Sequence, residues 1–365
     1  MFRCGFAVPA GASSPVVSVR CPAAGASGSS RQVGDCFVVA EVGSVHDGSF
    51  GNAKHLVGVA RECGASAVKF QTHIAPAETL RSAPAPSYFQ GEPRYDYFER
   101  TAFTRGQWEE LKAHCDKSAI GFLSSPFSVA AVELLESIDV ARYKVPSGEV
   151  SNLPLLQAVG QTRKPVLVSS GMSSWAELDE AVNTLLSYHD RVTVLQCTSE
   201  YPCAYEEVGL DVMVAMRERY HLSVGLSDHT LTPYASLAAV ALGASVIEKH
   251  LTFSRMMYGS DAAHSLEPAE FADLVRGIEA IEVMLASPVD KDAAATRLRT
   301  MKSIFEKSVV ALVDIPVGAT ITAEMVGLKK PGTGIPPRRL HAVIGRRAMQ
   351  AVAKDTLLRE DDLGA

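Results

Sequence analysis

The chain has 365 residues, 47% of them hydrophobic and 21% charged, which suits a globular protein with room for one large α/β domain and a small companion. A net charge of −6 argues against nucleic acid or an anionic membrane as partner, so a phosphorylated substrate needs a local basic pocket. No apolar run approaches the roughly 20 residues that span a bilayer. The seven scattered cysteines include no C-x-x-C pair, which points to free thiols in a reducing compartment, the cytoplasm, rather than to a disulfide framework or zinc knuckle.

Residues 1–34 are rich in Ala, Ser, Gly and Pro, carry Arg3, Arg20 and Arg31, and hold no acidic residue. That composition suits a disordered extension or an organellar transit peptide. From there, short β-branched runs alternate with amphipathic stretches: 36–43, 67–72, 121–127, 141–148, 165–171, 192–198, 223–230 and 245–252. Helices are expected between them, such as 52–63 closed by Gly64, and 174–188 opened by Ser173 or Ser174 with Glu177 near the third position. Eight βα repeats match a (β/α)₈ TIM barrel over 35–286, with a doubly wound open sheet as the alternative. The first strand lacks the G-x-G-x-x-G turn of a dinucleotide site. Residues 287–302 read as a polar linker. Residues 303–365 read as a compact second domain, in which "DIPVGATITAEMV" and "VAKDTLLREDDL" echo each other.

Each run starts apolar and ends polar, and in a barrel those ends converge on one face. His229 and His250 are 21 residues apart, one βα unit, and so reach neighbouring strand ends. Two imidazoles without a Cys or third His suit an open Mn²⁺ or Mg²⁺ site better than closed zinc, although a structural His is the plain alternative. Lys69 and Lys144, each following apolar residues on a strand, are candidates for holding phosphate or carboxylate. Ser125, Ser147, Ser170 and Ser227, at equivalent heights, can donate to the same anion. Glu41 and Glu149 offer carboxylates for proton transfer, or salt bridges to those lysines.

The motifs "VVAEVGSVHDG", "GASAVKFQTH", "GFLSSPF", "YKVPSGEVSNLPLL", "VLVSSGMSS", "LQCTSEYP", "VGLSDHT", "ALGASVIEKHLT", "GSDAAHSLEP" and "KKPGTGIPP" occur in this order. Over about 36–365 the chain closely resembles the sialic acid synthase family, including its C-terminal antifreeze-like SAF domain of β-clip type. The resemblance implies condensation of phosphoenolpyruvate with an open-chain hexose such as N-acetylmannosamine. In it, C3 of phosphoenolpyruvate attacks the aldehyde, a water adds at C2, and C–O cleavage releases phosphate, giving a nine-carbon 2-keto-3-deoxy sugar acid.

By motif, His229 and His250 look like ligands of a divalent metal, while Lys69, Ser125, Lys144, Ser147, Ser170 and Ser227 look like phosphoenolpyruvate contacts. Lys144 is also grouped with Glu41 and Glu149, the acid/base carboxylates, as catalytic. Gln71, Ser199, Tyr201 and Asp261 look like the sugar site. The resemblance further implies a domain-swapped homodimer in which each SAF domain caps the partner's barrel. Octulosonate- and heptulosonate-phosphate synthases share the chemistry but lack a SAF domain. Two departures fall near the acceptor. Val45 replaces an amide of the family's first loop, and Lys330 stands where the family has an N-acyl-recognising Arg. Both imply a weakened preference for N-acylated sugars.

Overall fold

The computed structural model describes residues 36–84 and 92–364; the expectation for residues 1–34 lies outside them. The chain divides into two compact units, one ending at Ala286 and one beginning at Ser287.

The first unit carries eight parallel strands: β1 (Phe37–Gly43), β2 (Ala67–Thr72), β3 (Gly121–Pro126), β4 (Tyr143–Val145), β5 (Val166–Ser169), β6 (Val192–Cys197), β7 (Ser223–Asp228) and β8 (Val246–His250). They pair in the order β3-β2-β1-β8-β7-β6-β5-β4, so the first and last strands meet and the seam falls between β3 and β4. This is the expected TIM-like barrel, nearly closed. Parallel strands need long crossovers, and helices supply them. The Trp175–Leu186 helix begins in a capping box in which Ser174 and Glu177 bond each other's backbone N–H. It buries Leu178, Ala181, Val182 and Leu185 at the i, i+3, i+4, i+7 spacing of one helix face. Removing either leucine side chain from that face costs about 2–5 kcal/mol.

Side chains alternate along a strand, and the barrel sorts them. Val38, Ala40 and Val42 of β1 face outward into the main core under the helices. Val39, Ala67, Leu123, Leu167, Leu195 and Val246 face inward and form a separate apolar plug, with Phe37 packed against it. The plug closes the lower barrel. The next inward residues lie above it.

The second unit has its own core, including Val309, Ile315, Ile321, Ile335 and Leu358. A two-stranded antiparallel sheet, β9 (Ser308–Ala311) with β10 (Val326–Lys329), is joined by isolated bridges Ile315–Val352 and Thr320–Arg347. The two echoing segments end alike, in 3₁₀ turns at Ala323–Met325 and Glu360–Asp362. Helices Lys291–Arg297 and Arg299–Phe305 occupy sequence that reads as a polar linker. Asp290 caps the first of them by accepting from Asp292 N and Ala293 N.

Candidate active site

Two residues beyond each member of the apolar plug stand Glu41, Lys69, Ser125, Ser169, Cys197 and Glu248, joined by Lys144 and Ser227 from β4 and β7. All line one cavity of about 560 Å³. Two residues further up come Gln71, Phe127, Ser199, His229 and His250, which line the same cavity. The period-two rule therefore builds the pocket in layers above its floor.

The lower layer is an ion cluster. Lys69 Nζ is 2.8 Å from Glu41 Oε2 and 3.7 Å from Glu248 Oε1, and it donates to Ser125 Oγ at 3.2 Å. Lys144 Nζ donates to Glu248 Oε1 at 2.9 Å, and Ser227 Oγ donates to the same oxygen at 3.0 Å. Burial disfavours the Lys69 ammonium, but Glu248 and Glu41 outweigh it and raise its pKa. Burial likewise disfavours the Glu248 carboxylate, and Lys144 and Lys69 outweigh that and lower its pKa. Lys69 and Glu248 are both held charged. Three buried polar atoms here, Glu41 Oε2, Glu248 Oε2 and Ser169 Oγ, make no hydrogen bond among the described residues, the first being held only by its ion pair with Lys69. Such atoms are costly unless something binds them.

Above the cluster, the His229 and His250 rings lie 5.5 Å apart, centroid to centroid. Thr198 O accepts from His229 Nδ1 at 2.7 Å, so the proton sits on Nδ1 and Nε2 presents its lone pair, 3.2 Å from the Tyr201 hydroxyl. Burial, then the neighbouring His250, lowers the His229 pKa to about 3 and keeps the ring neutral. Tyr201 stacks on His229 at 4.2 Å. His250 Nδ1 is buried without a hydrogen-bond partner among the described residues. Among the described residues no group of three or more His, Cys, Asp or Glu gathers around one point. The two imidazoles can offer an ion at most two nitrogen donors from this pair of strand ends.

The rim carries Glu149, whose Oε2 accepts from Asn152 Nδ2 at 2.7 Å. Burial raises its pKa, with Asn152 opposing. Asp261 Oδ2 accepts from Ser44 N at 2.9 Å. Gly43, with φ +52, lies where an added Cβ would stand 2.3 Å from Asp261 Oδ2, so only glycine lets that carboxylate approach. Gly171 plays the same part for two predicted serines: an added Cβ would lie 2.0 Å from Ser147 Oγ and 2.6 Å from Ser199 Oγ.

Thus Glu41, Lys69, Gln71, Ser125, Lys144, Ser147, Glu149, Ser199, Tyr201, Ser227, His229, His250 and Asp261 share the cavity. Ser170 does not line it. Leu167 faces inward, so Ser169 does too, and Ser170 turns outward, donating to Gln196 Oε1 at 3.0 Å. Val45 is wholly buried in the main core, so it offers nothing to a sugar. Lys330 belongs to the second unit, its Nζ 4.9 Å from the Phe305 ring centroid. Sequence reasoning assigned no role to Ser169, Glu248, Cys197, His73, Glu78 and Arg94, all in the lining. Strand parity, counted from the plug, finds the first three. Lys249, between Glu248 and His250, turns outward to Asp228 at 2.9 Å, both side chains 1% exposed.

A family model described as "NeuB family" matches residues 56–290, and one described as "SAF domain" matches 306–364. The chain belongs to the NeuB family. Within it, N,N'-diacetyllegionaminic acid synthase of Campylobacter jejuni is 34% identical over 89% of this chain and 99% of that protein. Human N-acetylneuraminate-9-phosphate synthase is 33% identical over 89% of this chain and 92% of its own length. A crystal structure of N-acetylneuraminic acid (sialic acid) synthetase from Leptospira borgpetersenii, in complex with citrate, superposes with a TM-score of 0.64 at 28% identity, covering 73% of this chain and 91% of that one. No described helix is long and apolar enough to cross a membrane.

Proposed function

We propose that this NeuB-family chain condenses phosphoenolpyruvate with an aldose of the N-acetylmannosamine type, forming a nine-carbon 2-keto-3-deoxy sugar acid and releasing phosphate. The observation that carries this reading is the Lys69–Glu41–Glu248–Lys144 cluster lying beneath two buried histidines at the strand ends. An anion with a carboxylate at one end and a phosphate at the other can engage both lysines, with Ser125, Ser227 and the unpartnered Ser169 hydroxyl donating to its oxygens. Charge-assisted bonds of this kind contribute about 1.5–3 kcal/mol each.

His229 and His250 are the residues that would hold a divalent ion, Mn²⁺ or Mg²⁺. The neutral His229 ring, the adjacent His250 ring and its Nδ1, unpartnered among the described residues, fit an open oxygen-rich site. When bound, such an ion supplies charge stabilisation for a polarised aldehyde carbonyl. Glu149, its pKa raised by burial, is suited to deliver the proton that turns the aldehyde oxygen into a hydroxyl as the C3–C1 bond forms. Glu41 is suited to take the proton from the water that adds at C2 before the C2–O bond to phosphate breaks. Gln71, Ser199, Tyr201 and Asp261 are assigned to the sugar. With Val45 in the core, only Lys330 remains as a reason to expect a relaxed N-acyl preference. The two named relatives make different products, so the acceptor is proposed at the level of aldose class.

A homodimer is proposed as the working assembly. Val289, Leu298, Met301, Ile304 and Phe305 are more than half exposed in the second unit, an apolar set that a second copy would cover. Sedimentation of the full chain tests this, and a monomer at working concentration refutes it. A cytoplasmic location is proposed from the free thiols of the five described cysteines. The function is tested by mixing the protein and phosphoenolpyruvate with N-acetylmannosamine, its 6-phosphate or mannose, then weighing products and measuring phosphate. A nine-carbon keto acid with equimolar phosphate is expected, lost on chelation and restored by Mn²⁺ or Mg²⁺. Phosphate release without carbon–carbon bond formation, or full activity in the chelated protein, refutes it.

A further inference from the structure

The segment "QTHIAPAE" leaves β2 and turns into the short helix Ala75–Glu78, which carries Glu78 back over His73. Both side chains are buried, 6% and 4% exposed, and His73 Nδ1 lies 2.7 Å from Glu78 Oε1. The imidazole is stacked between Phe98 and Phe127, with centroids 3.6 and 4.1 Å away. Its Nε2 is 3.1 Å from Gln71 Oε1, and Gln71 Nε2 is 2.8 Å from Glu41 Oε1.

The chemistry of the partners sets the directions of these bonds. A carboxylate only accepts, so Gln71 must give its NH₂ to Glu41 and turn its oxygen toward His73. An amide oxygen only accepts, so His73 must carry a proton on Nε2. A second proton must then lie between Nδ1 and Glu78 Oε1, because two bare lone pairs at that distance repel. Glu78 Oε2 already accepts from Ile74 N at 3.2 Å, as a carboxylate does. The two flanking aromatic faces hold the imidazole in its plane. Other charges face the pair as follows. Glu41 is reached through Gln71. Arg94 is 5.2 Å from the Phe98 ring centroid, and Glu149 senses both Glu78 and Arg94. His46, lowered to about 4 chiefly by burial, is neutral.

We propose that His73, gripped by Glu78 and by the two flanking rings, is the positioning residue that aims Gln71 at Glu41. Gln71 and Lys69 then hold one oxygen each of Glu41, fixing the direction in which its lone pairs can act. The consequence for turnover rests on Glu41 as a proton-transfer group in the proposed condensation.

His73→Leu removes the donor to Gln71 and should lower kcat about tenfold or more, a general-base-sized loss, with KM for phosphoenolpyruvate little changed. His73→Gln, whose side-chain amide can still donate to Gln71 Oε1, should regain most of that loss. Crystal structures of the two variants should show Gln71 turned away from Glu41 in His73→Leu and still bonded to it in His73→Gln. An unchanged kcat in His73→Leu, equal losses in the two variants, or an undisturbed Gln71–Glu41 bond in His73→Leu overturns the positioning role. A parent protein inactive with every aldose refutes the functional reading instead, while the His73→Leu structure still decides whether His73 aims Gln71.

Discussion

Glu248→Gln should unfold more easily than the parent protein and be rescued by phosphoenolpyruvate. Glu248 is the second anion of a cluster containing two ammonium groups, with Lys144 at 2.9 Å and Lys69 at 3.7 Å. All three side chains are at most 6% exposed. Glutamine keeps the shape and can still accept from Lys144 and Ser227, but only Glu41 remains to balance two cations. Leaving one buried charge without its partner costs about 3–5 kcal/mol. At a few degrees per kcal/mol for a domain of this size, the midpoint should fall by roughly 10 °C. Phosphoenolpyruvate restores the missing negative charge, so its stabilisation, RT ln(1 + [L]/Kd), should be larger in the variant than in the parent. Thermal unfolding monitored by fluorescence, with and without phosphoenolpyruvate and with sulfate as a control, measures both quantities. Equal midpoints in the absence of ligand would falsify the idea that the cluster is charge-balanced before substrate arrives, and equal shifts with ligand would remove the proposed binding mode.

Asp228→Asn should cost about 3–5 kcal/mol in urea unfolding, because it strands the buried Lys249 ammonium, and adding Lys249→Met should recover most of that loss; additive losses would contradict the pairing. Gly171→Ala should lower kcat/KM about tenfold or more by displacing Ser147 and Ser199. Gly148→Ala, where an added Cβ meets only Met172 at 4.0 Å, should be nearly silent, and equal effects would defeat the explanation. Glu149→Gln should lower kcat by about 10²-fold or more. Its stability should also depend on pH in a definite sense. A carboxyl whose folded pKa is raised by burial stabilises the fold below its unfolded pKa and loses that contribution as pH rises through the folded value. The Glu149→Gln midpoint should therefore gain on the parent as pH rises from about 4 to 7, and a gain on acidification would reverse the assignment.

Strand positions were largely legible in the chain. "AVKFQT" is β2 to the residue, and the Ser174–Glu177 box opens its helix as expected. Those signals are local, fixed by alternation and capping. Helices Lys291–Arg297 and Arg299–Phe305 were not legible because their sequence is polar enough to pass for a linker. At the site, types and approximate heights were readable, but facing was not always followed. Ser170 was preferred to Ser169, although Leu167 in the same strand sets the parity. Val45 was read from its place in a loop motif, whereas its apolar side chain seeks the core. His73 and Glu78 escaped because nothing in "THIAPAE" shows that a single helical turn folds one onto the other. That contact depends on Phe98 and Phe127, contributed by distant segments.

The alternation of Glu248, Lys249 and His250 also restricts how this gene can change. Losing one codon between Val246 and Glu248 would turn Lys249 into the cavity and push Glu248 and His250 into the outer wall, against Asp228 and the apolar helices. Every charged side chain of β8 would then face the wrong partner at once. Substitutions along this strand can be explored singly, with a compensating change on β7 for Lys249, whereas insertions and deletions must come in pairs or fall in the βα loops. Length variation among relatives should therefore collect between strands, and a natural variant with an odd-numbered gap inside β8 should have given up the pocket altogether.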